Sequence, residues 1–520
     1  MSAKTVGFGM GLVVFALLAA APVFEAFRAP AAELAATSQT SMDAGSLAQS
    51  MQYVLAVLAL MVTWWVTEAV PLPVTALLPA VLFPLLHITG VHDGRAVEFS
   101  LRTVLANYAH PVIYLFFGGF LLAGAMQKWS LDRRLTLWLL TRGRVANDTH
   151  WILLGIMCVT AFLSMWISNT ATAAMMLPLG LGILSLLAMT PGESRFGTAL
   201  MLGIAWSASI GGIGTIIGTP PNGIALGILE STFRDDPSYR SITFLDWMKF
   251  GVPLVAIFLP VTWRLILAMN PPEVRRIPGG RARMQEERLK LGPLSSGERR
   301  AVAIFLFAVT GWVTNPFWDV LLPTAVSAQL AWVDEYAIGL IAGVLGFVVP
   351  VSLRKGQFVL EWKDTKFVEW GTLLLFGGGI ALSDAMFKTG LASLIAQTFV
   401  AALGSPPTLV MLIAVVFLVD FLTEITSNTA VTSMMVPIFI SIALRTGEDP
   451  VALALAAALA ASLAFMLPVA TPPNALVYSS GYVSIRQMVR TGFILDILGW
   501  FVAVGTLIVF AGWVFGLVAL

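Results

Sequence analysis

Two copies of the tripeptide Ser-Asn-Thr interrupt apolar stretches of this chain. The first copy, residues 168–170, lies in the apolar run 151–189, and the second, residues 427–429, lies in the run 405–444. Adjacent hydroxyl and amide groups in a hydrocarbon environment need polar partners, because an unsatisfied polar group there costs several kcal/mol. We therefore expect each tripeptide to meet a polar ligand.

Two further motifs are duplicated in the same order. Phe-Gly-Gly at 117–119 returns at 376–378, and Thr-Pro-Pro-Asn at 219–222 returns at 471–474. A single Ser-Asn-Thr would usually serve only to join transmembrane helices by hydrogen bonds. Three motifs repeated in order instead indicate an internal repeat. Inverted repeats are typical of secondary transporters, whose sites lie near the membrane midplane on discontinuous helices.

The repeated motifs predict a coupled anion and cation site. A hairpin that turns at Ser-Asn-Thr offers unpaired N–H groups and a positive dipole end to a carboxylate, sulfate or phosphate. The prolines of Thr-Pro-Pro-Asn are expected to free helix carbonyls one turn earlier, which suit a hard cation such as Na⁺. Neither motif contains Arg or Lys, so bound cations would complete the anion site. No pairing of nucleophile and base is found in these motifs, which disfavours an enzyme.

The composition predicts a polytopic membrane protein. The 520-residue chain is 58% hydrophobic and 11% charged, whereas about a quarter of a soluble protein is charged. A net charge of +1 gives no indication of a nucleic-acid partner. The single cysteine, Cys158, excludes an internal disulfide, and the four histidines show no metal-binding spacing.

Eleven apolar segments are long enough to cross a bilayer. If the two broken runs are re-entrant hairpins, the basic loops 133–144, 275–300, 354–366 and 486–490 all fall on the cytoplasmic side. The first segment could also be a signal peptide, but the many later spans favour a helix. The segments are 6–24, 51–70, 72–90, 106–127, 197–229, 246–269, 300–316, 336–353, 368–387, 450–480 and 491–518.

The predicted fold is an all-α polytopic membrane protein with about 11 transmembrane helices and two re-entrant hairpins in an inverted repeat. Residues 1–50 form an N-terminal transmembrane helix and an external loop, with the N-terminus cytoplasmic and the C-terminus of the chain external. Residues 51–270 form the first repeat with an inward-side hairpin at 151–189. A cytoplasmic linker, 271–299, precedes the second repeat, 300–520, whose outward-side hairpin is 405–444.

Two carboxylates precede the second Ser-Asn-Thr on one face of the first hairpin helix. They are Asp420 and Glu424, and Met165 stands at the position of the first repeat that matches Glu424. Acidic residues inside a membrane are candidates for function. Either a hydrogen-bonding role or a coupling role is open for Glu424.

From about Val54 to its end, the chain resembles the divalent anion:sodium symporter (DASS) family of di- and tricarboxylate transporters, which includes the INDY proteins. The resemblance is carried by WISNTATAAMMLPL, TEITSNTAVTSMMVPI and the paired Thr-Pro-Pro-Asn motifs. It implies a homodimer in which a transport part moves like an elevator against a scaffold part. It also implies a location in the cell membrane of a bacterium.

The resemblance further implies the site residues and at least two Na⁺ ions. One Na⁺ site would use Ser164, Ser168, Asn169 and the carbonyl of Gly218, and the other Thr423, Asn428 and the carbonyls of Thr426 and Ala470. Relatives often carry a smaller residue where Thr426 stands, which a backbone ligand should tolerate. The substrate carboxylates would bind Ser168, Asn169, Thr170, Ser427, Asn428, Thr429 and Thr471.

The first choice of function is Na⁺-coupled symport of a C4-dicarboxylate such as succinate, malate or fumarate. Citrate is the second candidate substrate, and sulfate is the third. A dicarboxylate exchanger, an anion channel and a subunit of a membrane decarboxylase are the alternatives. Accumulation of substrate driven by a cation gradient distinguishes a symporter from a channel.

Overall fold

The computed structural model describes residues 3–37, 43–142, 147–237, 239–276, 280–404 and 406–515. The predictions for the chain ends, for loop residues 38–42, 143–146 and 277–279 and for hairpin residue 405 lie outside these ranges. The fold is 77% helical, which confirms the all-α prediction. Within the described residues, nine helices are long and apolar enough to cross a membrane, or up to eleven if each bent pair counts as one span. The protein is therefore an integral membrane protein.

Within its described residues, the first half of the chain contains thirteen α-helices and one pair of strands. Its helices are α1 Ala3–Ala20, α2 Glu25–Thr37, α3 Ala44–Thr67, α4 Leu72–Thr75, α5 Leu78–Leu85, α6 Leu101–Ala106, α7 Pro111–Lys128, α8 Leu131–Leu140, α9 Thr149–Ser164, α10 Asn169–Leu186, α11 Arg195–Gly212, α12 Pro220–Phe233 and α13 Phe244–Met269. The strands β1 Thr89–His92 and β2 Arg95–Glu98 form an antiparallel hairpin. The region predicted as an external loop, up to residue 50, thus contains helix α2.

The described part of the second half contains a further thirteen α-helices and a second strand pair. Its helices are α14 Gly280–Lys290, α15 Ser296–Thr314, α16 Trp318–Leu321, α17 Thr324–Leu330, α18 Glu335–Val348, α19 Trp370–Thr389, α20 Leu391–Leu403, α21 Thr408–Ile425, α22 Asn428–Thr446, α23 Pro450–Ala460, α24 Pro472–Ser479, α25 Ile485–Thr506 and α26 Gly512–Phe515, the last two joined by a π-helical turn. The strands are β3 Pro350–Ser352 and β4 Gln357–Phe358.

The two halves repeat the same order of elements. In each, a strand hairpin precedes a long helix (α7, α19), a shorter helix (α8, α20), two hairpin arms (α9 and α10, α21 and α22) and a broken pair (α11 and α12, α23 and α24). Each half then closes with a long helix, α13 or α25, and both of these begin with a capping box. The sequence repeat is therefore a repeat of structure.

Three of the predicted spans are interrupted helices. Segment 72–90 forms only the short helices α4 and α5 before the chain enters β1, because prolines at 71, 73, 79 and 84 remove backbone donors. Segment 197–229 is broken between α11 and α12, and segment 450–480 is broken between α23 and α24. Each of these three predicted spans therefore consists of two helices.

Helices α7 and α18 pack closely through the repeated Phe-Gly-Gly motif. A methyl group built on Gly118 would lie 2.1 Å from the carbonyl oxygen of Gly339. In the second repeat, a methyl group built on Gly378 of α19 would lie 2.2 Å from the carbonyl oxygen of Ala76. Backbone cannot yield as a side-chain tip can, so both glycines allow the close approach of two main chains.

We expect Gly118→Ala to destabilise the protein by about 2 kcal/mol or more, since overpacking against backbone forces the two helices apart. The measurement is the thermal unfolding midpoint of the purified protein in detergent. Gly9→Ala is the matched control, because a methyl group on Gly9 of α1 meets no atom within 4 Å. An unchanged midpoint for Gly118→Ala would contradict the described contact.

The predicted cytoplasmic loops lie against one another in the structure. One of the contacts between them is an ion pair of Lys128 and Asp364. Burial raises the pKa of the Asp364 carboxyl, but hydrogen bonds from the Lys128 ammonium and the Glu361 amide hold this pKa below its ordinary value. Both members of the ion pair therefore stay charged. The contacts that join the loops are Arg133 with Glu287 at 2.9 Å, Lys128 with Asp364 at 2.7 Å, the Phe196 amide with Glu273 at 3.0 Å, and the Thr198 hydroxyl with the Tyr482 carbonyl at 2.8 Å. These four loops therefore share one face of the protein.

Candidate functional site

Each Ser-Asn-Thr motif lies at the break between two hairpin arms. Helix α9 ends at Ser164 and α10 begins at Asn169, and the Ser164 hydroxyl donates to Asn169 Oδ1 at 2.7 Å. At the matching positions, the Thr423 hydroxyl donates to Asn428 Oδ1 at 2.6 Å. Ser168 caps the start of α10, where its Oγ accepts from the Ala171 amide at 3.4 Å. Both tips thus bring a hydroxyl and an amide oxygen together.

The asparagine of each Thr-Pro-Pro-Asn motif holds the loop that precedes it. In both repeats its Nδ2 donates to two carbonyls in the loop or at its start, and its Oδ1 is buried without a hydrogen-bond partner. Asn222 donates to Gly212 at 3.1 Å and Thr215 at 2.8 Å, and Asn474 donates to Ala464 at 3.2 Å and Leu467 at 3.0 Å. The two loops are therefore folded by the same interaction.

The role predicted for the paired prolines needs a correction. Pro220 and Pro221 are the first two residues of α12, and Pro472 and Pro473 are the first two of α24. Proline is tolerated at this position because the amide of a first-turn residue has no helical partner. The prolines start helices and do not interrupt them. The carbonyls of the preceding loops lack helical partners because those loops, 213–219 and 461–471, are mostly non-helical.

The loops are attached to the hairpin tips in different ways in the two repeats. In the first, the Thr215 hydroxyl donates to the carbonyl oxygen of Met165. In the second, the Glu424 carboxylate accepts from the amides of Met466 at 2.7 Å and Leu467 at 2.9 Å. Glu424 is 2% exposed, so these two bonds carry much of its stabilisation. Glu424 fixes the second loop against its hairpin, which favours the hydrogen-bonding role for this residue.

Close glycine packing brings the first set of predicted Na⁺ ligands together. A methyl group built on Gly212 would lie 2.3 Å from Asn169 Oδ1, and one built on Gly218 would lie 2.4 Å from the Gly212 carbonyl oxygen. Ser164, Gly218 and Thr423 are all buried. The predicted ligands of the first site are therefore neighbours, with Gly212 between Asn169 and Gly218.

One cavity of about 680 Å³ joins the two hairpin tips and the two loops. All seven residues predicted to bind the substrate line it, namely Ser168, Asn169, Thr170, Ser427, Asn428, Thr429 and Thr471. The predicted Na⁺ ligands Thr426 and Ala470 also line the cavity, whereas Ser164, Gly218 and Thr423 do not. The structure thus brings the sequence-predicted substrate residues to one place.

Four helices begin at this cavity. Ser168, Thr219, Ser427 and Thr471 are the residues that precede α10, α12, α22 and α24, and all four line the cavity wall. Helix N-termini carry a partial positive charge. Helices α10 and α22 also present unpaired N–H groups there, whereas the first two residues of α12 and α24 are prolines, which have no N–H. The described lining residues include no Lys, Arg or His. The arrangement can therefore bind an anion through backbone dipoles and hydroxyl groups.

Some cavity residues were not predicted from the sequence. Thr219 is the first-repeat copy of Thr471, so the duplicated motif could have identified it. Gly212 lies outside the cavity lining and belongs to no quoted motif, although a side chain at its position would collide with Asn169 Oδ1. Glu68 and Glu369 line the cavity as well, and no repeat or spacing points to either carboxylate. The Thr426 hydroxyl adds a link to α3, donating to the Trp65 carbonyl at 3.2 Å.

Comparison with known proteins gives the fold and the family. The YdaH transporter of Alcanivorax borkumensis is similar in structure, with a TM-score of 0.53 and 18% identity over 88% of this chain and 98% of that one. MtrF of Neisseria gonorrhoeae gives a TM-score of 0.53 and 13% identity, over 89% of this chain and 95% of that one. At these identities the likeness concerns the fold alone.

Two curated relatives are much more similar in sequence. The sodium-dependent dicarboxylate transporters SdcS of Staphylococcus saprophyticus and Staphylococcus aureus are each 36% identical over 455 residues, covering 86% of this chain and 83% of the relative. Residues 43–517 match the family model described as the sodium:sulfate symporter transmembrane region. The family and these relatives are transporters and not enzymes. The chain therefore belongs to the sodium:sulfate symporter family, which is the divalent anion:sodium symporter family that its repeated motifs resemble.

Proposed function

We propose that the protein is a Na⁺-coupled symporter of C4-dicarboxylates such as succinate, malate and fumarate. The observation that carries the proposal is the cavity at which four helix N-termini and both Ser-Asn-Thr motifs meet. The similar SdcS proteins are named sodium-dependent dicarboxylate transporters, which supports the same class of substrate here.

Two matched sets of oxygen atoms support two Na⁺ sites. Each set pairs a hydroxyl with an asparagine Oδ1, Ser164 with Asn169 and Thr423 with Asn428. Each also lies in a repeat whose loop asparagine, Asn222 or Asn474, has a buried and unpartnered Oδ1. A buried oxygen without a donor is costly, and a bound cation removes that cost. Neutral oxygen ligands suit a hard cation.

A short dianion suits the distribution of donors around the cavity. Ser168 and Ser427 precede the second helices of two different hairpins, and Thr219 and Thr471 precede two further helices. One carboxylate can bind at each tip, and the absence of basic side chains from the described lining leaves the remaining charge to the Na⁺ ions. Binding of the anion and of Na⁺ is then reciprocal.

We also propose the inverted topology, with residues 151–189 and 405–444 as re-entrant hairpins. The Asp148 side chain contacts Arg275 at 3.3 Å, and Tyr482 donates to the Met189 carbonyl at 2.9 Å, so both ends of the first hairpin meet the face of the basic loops. At the other hairpin, the Thr408 hydroxyl donates to Glu448 at 2.6 Å. These contacts support a chain that returns to the side from which it entered.

In this topology the cavity opens toward the cytoplasm. Its rim includes Glu68 at the end of α3 and Glu369 at the start of α19, and both helix ends are cytoplasmic in the proposed arrangement. An elevator movement of the hairpins and broken helices against the remaining helices would expose the cavity to the opposite side. The resemblance to the family extends the proposal to a homodimer.

Uptake of radiolabelled succinate into proteoliposomes tests the proposed function. We expect accumulation with an inward Na⁺ gradient and none with K⁺, and stronger competition by malate and fumarate than by citrate or sulfate. Uptake that requires internal dicarboxylate and no Na⁺ gradient would indicate an exchanger. Gradient-independent equilibration without accumulation would indicate a channel.

Cysteine labelling tests the topology. In a Cys158→Ala background, we expect Gln285→Cys in α14 to react with a membrane-impermeant thiol reagent only after the cells are permeabilised. Trp332→Cys is the matched control, because Trp332 is 67% exposed and lies in a predicted external loop. Reaction of the cysteine at position 285 in intact cells would overturn the proposed sidedness.

A further inference from the structure

A hydrogen bond joins the tip of the second hairpin to helix α3, which lies outside the hairpins and the broken helices. The Thr426 hydroxyl donates to the carbonyl oxygen of Trp65 at 3.2 Å. Thr426 is 8% exposed and Trp65 is fully buried, so both partners of this bond are shielded from water. Thr426 follows directly after the end of the first arm, α21. The bond therefore links the turn of the hairpin to a separate part of the protein.

The way in which α3 ends explains why this carbonyl can accept the bond. Helix α3 ends at Thr67, and Glu68 follows in the left-handed conformation with a φ of 46°. The carbonyls of the last turn of a helix, which here include that of Trp65, have no partner within the helix. A buried carbonyl without a donor is unfavourable. Thr426 supplies the donor from the hairpin.

The end of α3 and the second tip also form part of the cavity wall. Val66, Thr67 and Glu68 line the cavity at the end of α3, and Thr426 and Ser427 line it at the tip. The main-chain carbonyl of Thr426 is at the same time a predicted ligand of the second Na⁺ site. One residue therefore connects α3, the wall of the cavity and a proposed ion site.

The first repeat lacks the chemistry for such a bond. The residue before Ser-Asn-Thr is Ile167 in the first repeat and Thr426 in the second. Ile167 has no hydroxyl, and it is 1% exposed within the apolar core. A hairpin tip can therefore form without a hydroxyl at this position. The bond to α3 is a property of the second tip and not a requirement of the repeated fold.

We propose that Thr426 is a positioning residue that holds the cavity in its cytoplasm-facing state through the bond to α3. In the proposed elevator movement, Thr426 travels with its hairpin, whereas Trp65 stays with α3. A hydrogen bond does not extend beyond about 3.5 Å, so this bond breaks before the cavity reaches the opposite side. It therefore stabilises one of the two states, and its loss favours the outward-facing state. This inference rests on the proposed function.

Thr426→Val removes the bond with little change of side-chain shape, because valine carries a methyl group where threonine carries the hydroxyl. A hydrogen bond that exists in one state only changes the ratio of the two states by about five-fold. We therefore expect the outward-facing fraction to rise about five-fold. Thr426→Ser keeps a hydroxyl and should retain the ratio of the unmodified protein.

The first measurement is the rate at which a cysteine in the cavity reacts with a membrane-impermeant thiol reagent added to intact cells. In a Cys158→Ala background, Val469→Cys is the reporter, because Val469 lines the cavity and is 80% exposed. Thr426→Val should make this external reaction about five-fold faster. Thr160→Val is the matched control and should not change the rate, since its buried hydroxyl donates to Ile156 of its own helix at 2.7 Å. Equal rates for the two valine variants would overturn the proposal.

The second measurement is the external Na⁺ concentration that gives half-maximal uptake of succinate. A larger outward-facing fraction lowers the apparent dissociation constant of a ligand that binds this state, by the same factor. Thr426→Val should therefore lower the concentration by up to about five-fold, whereas damage to the Na⁺ site would raise it. An unchanged or raised concentration would count against the proposal.

The two measurements separate a failure of this inference from a failure of the proposed function. If the reporter in the cavity reacts from outside in no variant, the cavity never faces outward, and the elevator movement fails together with the role of Thr426. If it reacts at one equal rate in all variants, the role of Thr426 alone fails. Should Thr426→Val not reach the membrane, Thr426→Ala removes the same hydroxyl and gives the same comparison.

Discussion

Asn169→Ala and Asn428→Ala should each lower Na⁺-driven succinate uptake by about 100-fold. Each substitution removes a strong charge-assisted contact with the ion and with the substrate, and the loss of one such contact corresponds to a change in rate of about this size. Each side chain accepts from a buried hydroxyl of its own hairpin, and each lines the cavity. The alanine variants would lose a proposed ligand of Na⁺ and of the carboxylate at once. Uptake should therefore fall although the protein reaches the membrane.

The control for this prediction is Asn315→Ala. Asn315 also makes a main-chain hydrogen bond, to the Val333 carbonyl at 2.7 Å, but it does not line the cavity. We expect its uptake to stay within about two-fold of the unmodified protein, as for substitutions far from a site. The Na⁺-dependent rise in thermal midpoint, measured without substrate, should be reduced in both cavity variants. Near-normal uptake by either of them would remove that asparagine from the site.

Glu424→Met should raise the Na⁺ concentration for half-maximal uptake by at least about ten-fold. The substitution leaves two buried amides without an acceptor, which costs about 1–3 kcal/mol for each amide. The amides belong to Met466 and Leu467, in the loop that carries the predicted ligand Ala470. Methionine is the residue that the first repeat places at this position. Glu424→Gln keeps one acceptor oxygen and should give an intermediate value.

The matched substitution in the first repeat is Met165→Leu. There the loop is held by a bond from the Thr215 hydroxyl to the main chain of Met165, so the side chain can change without loss of that bond. We expect the Na⁺ dependence of Met165→Leu to match that of the unmodified protein. A wild-type Na⁺ dependence in Glu424→Met would show that the two amides are satisfied without the carboxylate.

The duplicated motifs predicted most of the candidate site because their chemistry is local. Ser-Asn-Thr and Thr-Pro-Pro-Asn contain the hydroxyls, amides and helix-starting prolines that line the cavity, and two copies made chance improbable. The role of Pro220 and Pro221 was misjudged, since the sequence alone did not distinguish prolines that start a helix from prolines that interrupt one. Contacts between distant segments, such as Gly212 with Asn169, depend on packing that no motif records.

The same limit explains the errors in the fold. Segment 72–90 is largely apolar, so its hydropathy favours one span, and its three prolines, with Pro71 just before it, are the signal for a break. The strand hairpin that follows was also detectable, because Asp93 and Gly94 both have positive φ angles in a two-residue turn, and Asp-Gly is a strong signal for that turn. Glu68 and Glu369 reach the cavity through the arrangement of α3 and α19, which the order of residues does not reveal.

The four helix N-termini at the cavity have a consequence for the acidity of the medium. Their positive potential belongs to the backbone, and the described wall contains no group that loses a positive charge between about pH 5 and 8. The anion site therefore keeps its attraction throughout that interval. As the medium becomes more acidic, uptake should fall chiefly because less of the dicarboxylate is doubly ionised. In this arrangement the ionisation of the cargo responds to the pH, whereas no basic side chain of the described wall does.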